Sequence, residues 1–188
     1  MSETIVHTND HVHDNGVDVS NLSNAQIVEK IRSLQNSKGT TKQAQARRRL
    51  LTFCLADQWF ALDVNTVKEI SRLGTITRVP LVSDHVLGVV NLRGNITAVL
   101  DVRSLLGLPR KTLSPSARVV VIKSENLEAG IVAEIVSEVV EINRDMLEPP
   151  LITTERDTAR FYEGSFNQNG NQTICLNPGA ILAIGKPF

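Results

Sequence analysis

From Leu50 onward, apolar and polar positions alternate in short runs, the period-two signature of half-buried strands. Leu51, Phe53 and Leu55 are separated by Thr52 and Cys54, and after the turn Ala56-Asp57-Gln58 the run Trp59 to Val64 answers as a hairpin partner. Val67 to Ile70 predicts a third strand, and Val86 to Leu92 with Ile96 to Leu100 predicts two more, joined through Arg93-Gly94-Asn95. Asp101 is placed to cap a single helical turn, Val102 to Leu106, closed by Gly107. A second unit opens at Arg118 with Val119 to Ile122, the turn Ser124-Glu125-Asn126, Ala129 to Ile135 and Val139 to Ile142, where VVEI echoes the VKEI of Val67 to Ile70. Tyr162 to Phe166 and Thr173 to Leu176 complete it, and Asn177-Pro178 starts a helix.

The pattern upstream is different. Residues 1 to about 20 are polar and predict a flexible tail. A helix is expected at about 23–36: Ser23 and Gln26 fit a capping box, and Ile27, Val28, Ile31 and Leu34 share one face. The expected division is a tail over 1–47 and a β domain over 48–185. Within that domain the first barrel comes mainly from 50–108 and the second mainly from 117–183.

The two units are copies. Gly88 to Leu106 lies without a gap over Gly164 to Leu182, with seven of nineteen positions identical, including Asn91/Asn167, Gly94/Gly170, Asn95/Asn171 and Leu100/Leu176. Each unit has too few strands for an open sheet without exposed edges, so closure into a small barrel is expected. Barrels this small are marginal alone, so the two should pack together, leaving an apolar groove at their junction.

Composition removes several function classes. The chain has 20 basic and 20 acidic residues, five of each within 1–47, and no basic face suited to nucleic acid. Arg47 to Arg49 reads as a solvated linker end. No apolar stretch nears the roughly twenty residues that span a bilayer, and no signal peptide opens the chain, so a cytoplasmic protein without membrane insertion is expected. Cys54 and Cys175 sit in strand-like runs without metal-ligand spacing, and His85 lies in a loop, which makes a poor Cys/His nucleophile pair. The His7, His11 and His13 region lacks a fold to fix a metal geometry. Neither cofactor, metal nor catalytic residue is expected.

A residue present in one copy only is not explained by the shared fold, and Arg93 is such a residue, since its counterpart is Asn169. Two readings stay open: an ordinary solvated turn arginine, or a guanidinium that fixes a partner's register, with Glu69 as a neighbouring carboxylate.

Phe53-Cys54-Leu55, Trp59-Phe60-Ala61-Leu62, Val67-Lys68-Glu69-Ile70, Val79-Pro80, Gly88-Val89-Val90-Asn91-Leu92-Arg93-Gly94 and Val99-Leu100-Asp101 together resemble the CheW-type coupling (adaptor) family. The resemblance covers about Leu50 to Leu182. It implies a mainly β fold of two packed five-stranded SH3-like barrels. It also implies a non-catalytic adaptor, recruited to receptor arrays at the inner face of the membrane. The implied partners are the cytoplasmic tip of methyl-accepting chemoreceptors and the regulatory domain of a CheA-type histidine kinase. By motif, Glu69, Ile70, Asn91, Arg93 and Gly94 would lie at or support a receptor-facing groove; no residue is assigned to the kinase. The same fold serving a twitching, developmental or second-messenger pathway, and a generic tandem-barrel binding module, are the alternatives. The long N-terminal segment and Asn177-Pro178-Gly179 depart from the family pattern.

Overall fold

Each strand expected from the alternation forms, and the connections between strands decide which barrel it joins. The computed structural model describes residues 17–18, 26, 29, 32, 47–149 and 156–185. In chain order the strands are β1 (Val17–Asp18), β2 (Arg47–Leu55), β3 (Gln58–Asp63), β4 (Val67–Arg72), β5 (Val86–Leu92), β6 (Asn95–Leu100), β7 (Arg118–Ser124), β8 (Leu127–Ala133), β9 (Ile135–Asn143), β10 (Tyr162–Gln168) and β11 (Asn171–Leu176). Two short helices, α1 (Arg156–Ala159) and α2 (Pro178–Leu182), flank the last hairpin. Asn177 caps α2 by accepting from Ala180 N at 3.1 Å, as its sequence signal predicts.

One sheet has the order β1-β9-β2-β3-β11-β10 and the other β4-β7-β8-β6-β5. Setting β1 aside, the two follow the same plan: β9 corresponds to β4, β2 to β7, β3 to β8, β11 to β6 and β10 to β5. The first hairpin of each copy, β2–β3 or β7–β8, therefore sits in the sheet built by the other copy's last three strands. The ranges 50–108 and 117–183 each supply three of the five strands of one sheet, β4 to β6 and β9 to β11, while the first hairpin of each range crosses to the other. The physical reason lies in the links after those hairpins. Only the 3-10 turn Val64–Thr66 joins β3 to β4, and Glu134 alone joins β8 to β9. Neither link folds the chain back into a hairpin, so the next strand passes into the opposite sheet. Parallel pairings then stitch the copies together, Cys175 beside Ala61 in one sheet and Val99 beside Gly130 in the other.

Matching bridges tie the loop after β4 or β9 to the far edge strand. Thr77 pairs with Val89 and Glu148 with Ser165, each through two backbone hydrogen bonds of 2.8–2.9 Å. Just before each bridge stands a repeat glycine. A Cβ at Gly88 would lie 2.2 Å from the Thr77 carbonyl oxygen, and its φ is +141°. Gly88→Ala is expected to cost at least about 2–3 kcal/mol, combining strained backbone with a clash against main chain. Thermal unfolding measures it, and a loss below about 0.5 kcal/mol would show that this bridge is dispensable.

Leu51, Phe53, Phe60 and Leu62 from one sheet meet Val67, Ile70, Val120, Ile122 and Ile131 from the other in a shared core. Smaller clusters fill each barrel: Val90, Leu92, Val99, Val119, Val121 and Val132 in one, Leu50, Ala61, Val140, Ile142, Phe166 and Cys175 in the other. The apolar surface expected to line a groove at the junction is instead buried between the sheets.

The single turn expected over Val102 to Leu106 forms: Leu106 N donates to the Val102 carbonyl at 3.0 Å, Asp101 caps it by accepting from Arg103 N at 3.2 Å, and Gly107 closes it at φ +70°. Two further expectations change. Arg47 to Arg49 begins β2 and is not a linker: Arg47 pairs with Glu141 at 2.7 Å, and Arg48 bridges Asp63 and Glu163 at 3.2 and 2.8 Å. In the tail, Val17 and Asp18 pair with Val139 and Glu138 on the edge of β9. Of the helix expected at about 23–36, Gln26, Glu29 and Arg32 are helical and exposed; the rest of it and of the tail lies outside the described residues.

Candidate partner-binding surface

The β5–β6 hairpin presents the residue that the repeat leaves unexplained. All four hairpins turn through two residues, and the first of each pair has positive φ: Ala56 (49°), Arg93 (53°), Glu125 (53°) and Asn169 (50°). The primed turn that matches strand twist requires this conformation. Asn169-Gly170 suits it well, because asparagine tolerates left-handed backbone. Arg93-Gly94 makes the same turn with a residue that does not. Asn91 and Asn167 explain their own repetition: each side-chain oxygen accepts from the turn glycine, Gly94 N at 2.8 Å and Gly170 N at 3.0 Å. Asn91 and Gly94 thus hold the turn, and Arg93 projects from it, exposed and, among the described residues, without an ion pair or side-chain hydrogen bond.

The other two candidates lie elsewhere. Glu69 and Ile70 are on β4, at the opposite end of the strand order from β5. Ile70 is 1% exposed and belongs to the shared core, so its side chain offers no surface to a partner. Glu69 is half-buried and forms no ion pair among the described residues, whereas its repeat counterpart Glu141 holds Arg47. The expected Arg93–Glu69 pair does not form.

A buried polar cluster escaped the sequence reading. Arg103, 2% exposed, donates from Nε and Nη2 to the two carboxylate oxygens of Asp101, both at 2.9 Å. Its Nη1 donates to the Lys111 carbonyl at 2.8 Å and to Glu134 Oε1 at 3.0 Å. Glu134 Oε2 in turn accepts from Ala56 N at 3.1 Å. One guanidinium thereby joins the loop after β6, the β8–β9 crossover and the β2–β3 turn. Burial opposes ionisation of Asp101, but hydrogen bonds and charge from Arg103 outweigh it and hold the carboxyl below its ordinary range. An Asp-x-Arg spacing after a strand was visible in the sequence, although Asp101 fitted a helix cap equally well.

The thiols are not poised as nucleophiles. Burial, helped by the Glu134 carboxylate, pushes the Cys54 thiol up, and His85 is pushed down by burial and by Arg110. Burial pushes Cys175 up to about 12. A thiol raised in the fold contributes stability that is complete below about pH 9, its ordinary value, and is lost as pH climbs toward 12. The urea midpoint is therefore expected to fall above about pH 9, with Cys175→Ala flattening that fall. At pH 8, alkylation of Cys175 should be no faster than global unfolding; labelling at the rate of a free thiol would contradict its burial.

The sequence and the fold also match known proteins. The family model for the CheW-like domain matches residues 49–185. The Chemotaxis protein CheW of Bacillus subtilis (strain 168) is 26% identical over 142 residues, covering 76% of this chain and 91% of the relative. The Chemotaxis protein CheW of Rhizobium meliloti (strain 1021) is 32% identical over 132 residues, covering 69% and 83%. The crystal structure of the scaffolding protein TtCheW from Thermoanaerobacter tengcongensis superposes with a TM-score of 0.68 at 27% identity, covering 80% of this chain and 98% of that one. The match spans both barrels and every strand from β3 to β11, and so the chain belongs to the CheW-like domain family.

Proposed function

We propose that this chain is a non-catalytic chemotaxis adaptor that couples methyl-accepting chemoreceptors to a CheA-type histidine kinase. Family membership across the whole double barrel supports the adaptor role. The observation that carries the receptor side is Arg93: it sits on an ordered turn, in a backbone conformation that its own repeat assigns to asparagine, with its guanidinium turned to solvent. A conformation that costs stability at an exposed site points to a function outside the fold. The guanidinium would engage carboxylate or carbonyl groups at the receptor tip, with Asn91 and Gly94 fixing its position and Ile70 supporting β4 from within. Glu69 offers a second charged contact on the same five-stranded barrel. An adaptor acts by contacting its partners differently in two receptor states, so the receptor's signal reaches the kinase as a change in coupling free energy. No helix among the described residues is long and apolar enough to cross a membrane, so such an adaptor reaches the membrane face through the receptor.

Two separate titrations test this reading. The chain is expected to bind a receptor cytoplasmic fragment and the isolated kinase regulatory domain each without the other. Binding to neither, by folded protein, would remove the adaptor role and leave only the fold.

A further inference from the structure

Between β4 and β5 the chain crosses the surface in a loop that the core does not explain. Three of the six large apolar side chains exposed among the described residues fall within four positions of it: Val79 at 39%, Leu81 at 105% and Val82 at 42%. Scattered singly, such residues are ordinary, but a contiguous group marks a contact surface. Leu81 is the extreme case, because a side chain as accessible as in an unfolded segment contributes nothing to the core.

Its backbone is equally hard to explain. Pro80-Leu81 forms the centre of a turn, and Leu81 has a φ of +60°. A turn with proline first and positive φ second is the usual place of glycine or asparagine. Among the described residues, the other non-glycine positions with positive φ are Ala56, Asp57, Arg93, Glu125 and Asn169, all in hairpin turns that require it. Leu81 thus combines left-handed strain with full exposure, and a bulky side chain is poorly suited to that backbone.

The loop is nonetheless held at both ends. Thr77 bridges Val89 before it, Val86 N donates to the Ser83 carbonyl at 2.8 Å after it, and Arg110 Nη2 donates to the Asp84 carbonyl at 2.6 Å. Pro80 fixes its own φ. The apolar group is therefore presented in one shape, with little order left to lose on contact. Exposed Arg78 adds a positive charge beside it.

Its place relative to Arg93 decides the partner. The loop enters β5 at Val86 and the Arg93 turn leaves it at Leu92, so the two are separated by the length of that strand, about 20 Å at roughly 3.4 Å per residue. A partner gripping Arg93 leaves this end of the barrel open. An adaptor must hold both partners at once, and the reading above gives the Arg93 turn to the receptor. We propose, resting on that reading, that Val79, Leu81 and Val82 dock the regulatory domain of the kinase, with Leu81 entering an apolar cleft and Arg78 facing a carboxylate at its rim.

Leu81→Gly tests this, because glycine removes the side chain and relieves the turn together. Full-length parent and variant are each titrated with a CheA-type kinase and, separately, with a receptor cytoplasmic fragment, and their thermal midpoints are compared. Leu81→Gly is expected to bind the kinase at least about tenfold more weakly, to bind the receptor fragment like the parent, and to unfold at the same temperature or higher. Leu81→Met, which keeps an apolar side chain of similar size, should retain most of the kinase affinity. Equal kinase affinity in Leu81→Gly would overturn the proposal, as would weakened receptor binding with kinase binding intact. Loss of a concentration-dependent self-association, with kinase affinity unaltered, would also overturn it and mark a contact between copies of this chain. A parent that binds both partners while Leu81→Gly does the same refutes this assignment alone. A parent that binds neither refutes the adaptor reading as well.

Discussion

Arg103→Ala is expected to destabilise the chain by about 3–5 kcal/mol, the cost of breaking a buried ion pair by removing one partner. The Asp101 side chain is 3% exposed and would keep only the backbone N–H of residue 103, at 3.2 Å, and Arg110 Nε, 3.8 Å away on a half-exposed side chain. The Lys111 carbonyl and Glu134 would lose their donor at the same time. For a domain with about 5–15 kcal/mol of total stability, such a loss is a large fraction. Arg103→Lys is expected to recover only part of it, because a single ammonium cannot make the two-pronged contact with Asp101. The acid limb carries a second signature. Asp101 titrates lower in the fold than unfolded, so its contribution is complete above about pH 4 and disappears as pH falls through the folded value. Arg103→Ala should therefore lose less stability on acidification than the parent does. Urea unfolding at pH 7 and pH 3 measures both effects. A loss under about 1 kcal/mol at pH 7, with an unchanged acid limb, would mean that water replaces the guanidinium without cost.

Arg93→Asn is expected to separate stability from function. The substitution reproduces the turn that the second copy already makes at Asn169-Gly170, and it retains the hydrogen bond from Gly94 N to Asn91. Relief of left-handed strain should leave stability unchanged or raise it by up to about 1 kcal/mol. Receptor binding should weaken at least about tenfold, since a short neutral amide cannot replace a longer, charged guanidinium that donates two parallel hydrogen bonds. Thermal unfolding and receptor titration on the same preparation give both numbers. A drop in stability with unchanged affinity would make Arg93 a structural residue and return the receptor contact to an unassigned surface.

Much of this architecture was legible because strand alternation and turn chemistry are local. The duplicated Asn-x-x-Gly turns, the Asn177 cap and the positions of the β strands all follow from residues a few places apart. Which hairpin joins which barrel was not legible. That depends on two short links, Val64–Thr66 and Glu134, and on parallel pairings between residues far apart, such as Cys175 with Ala61. The same limit hid the role of Asp101, because Glu134 lies 31 residues from Arg103 and only the crossover brings them together. Ile70 illustrates a different limit. An apolar residue on a short strand fits an exposed groove or a core equally well until the opposite sheet is known, and here that sheet buries it. Arg93 stood out for the converse reason: the repeat supplied its own control, and the shared backbone angle of Arg93 and Asn169 turned a difference in sequence into a difference in strain.

The measurement that bears most directly on the adaptor role is a reconstitution in which this chain, a receptor cytoplasmic fragment assembled on vesicles and a CheA-type kinase are co-sedimented while autophosphorylation is followed. The account predicts that kinase sediments with receptor only when this chain is present, that its autophosphorylation then changes with receptor state, and that Arg93→Asn abolishes that dependence in folded protein. Kinase that sediments and responds equally well without the chain, or a chain that sediments with neither partner, would contradict it.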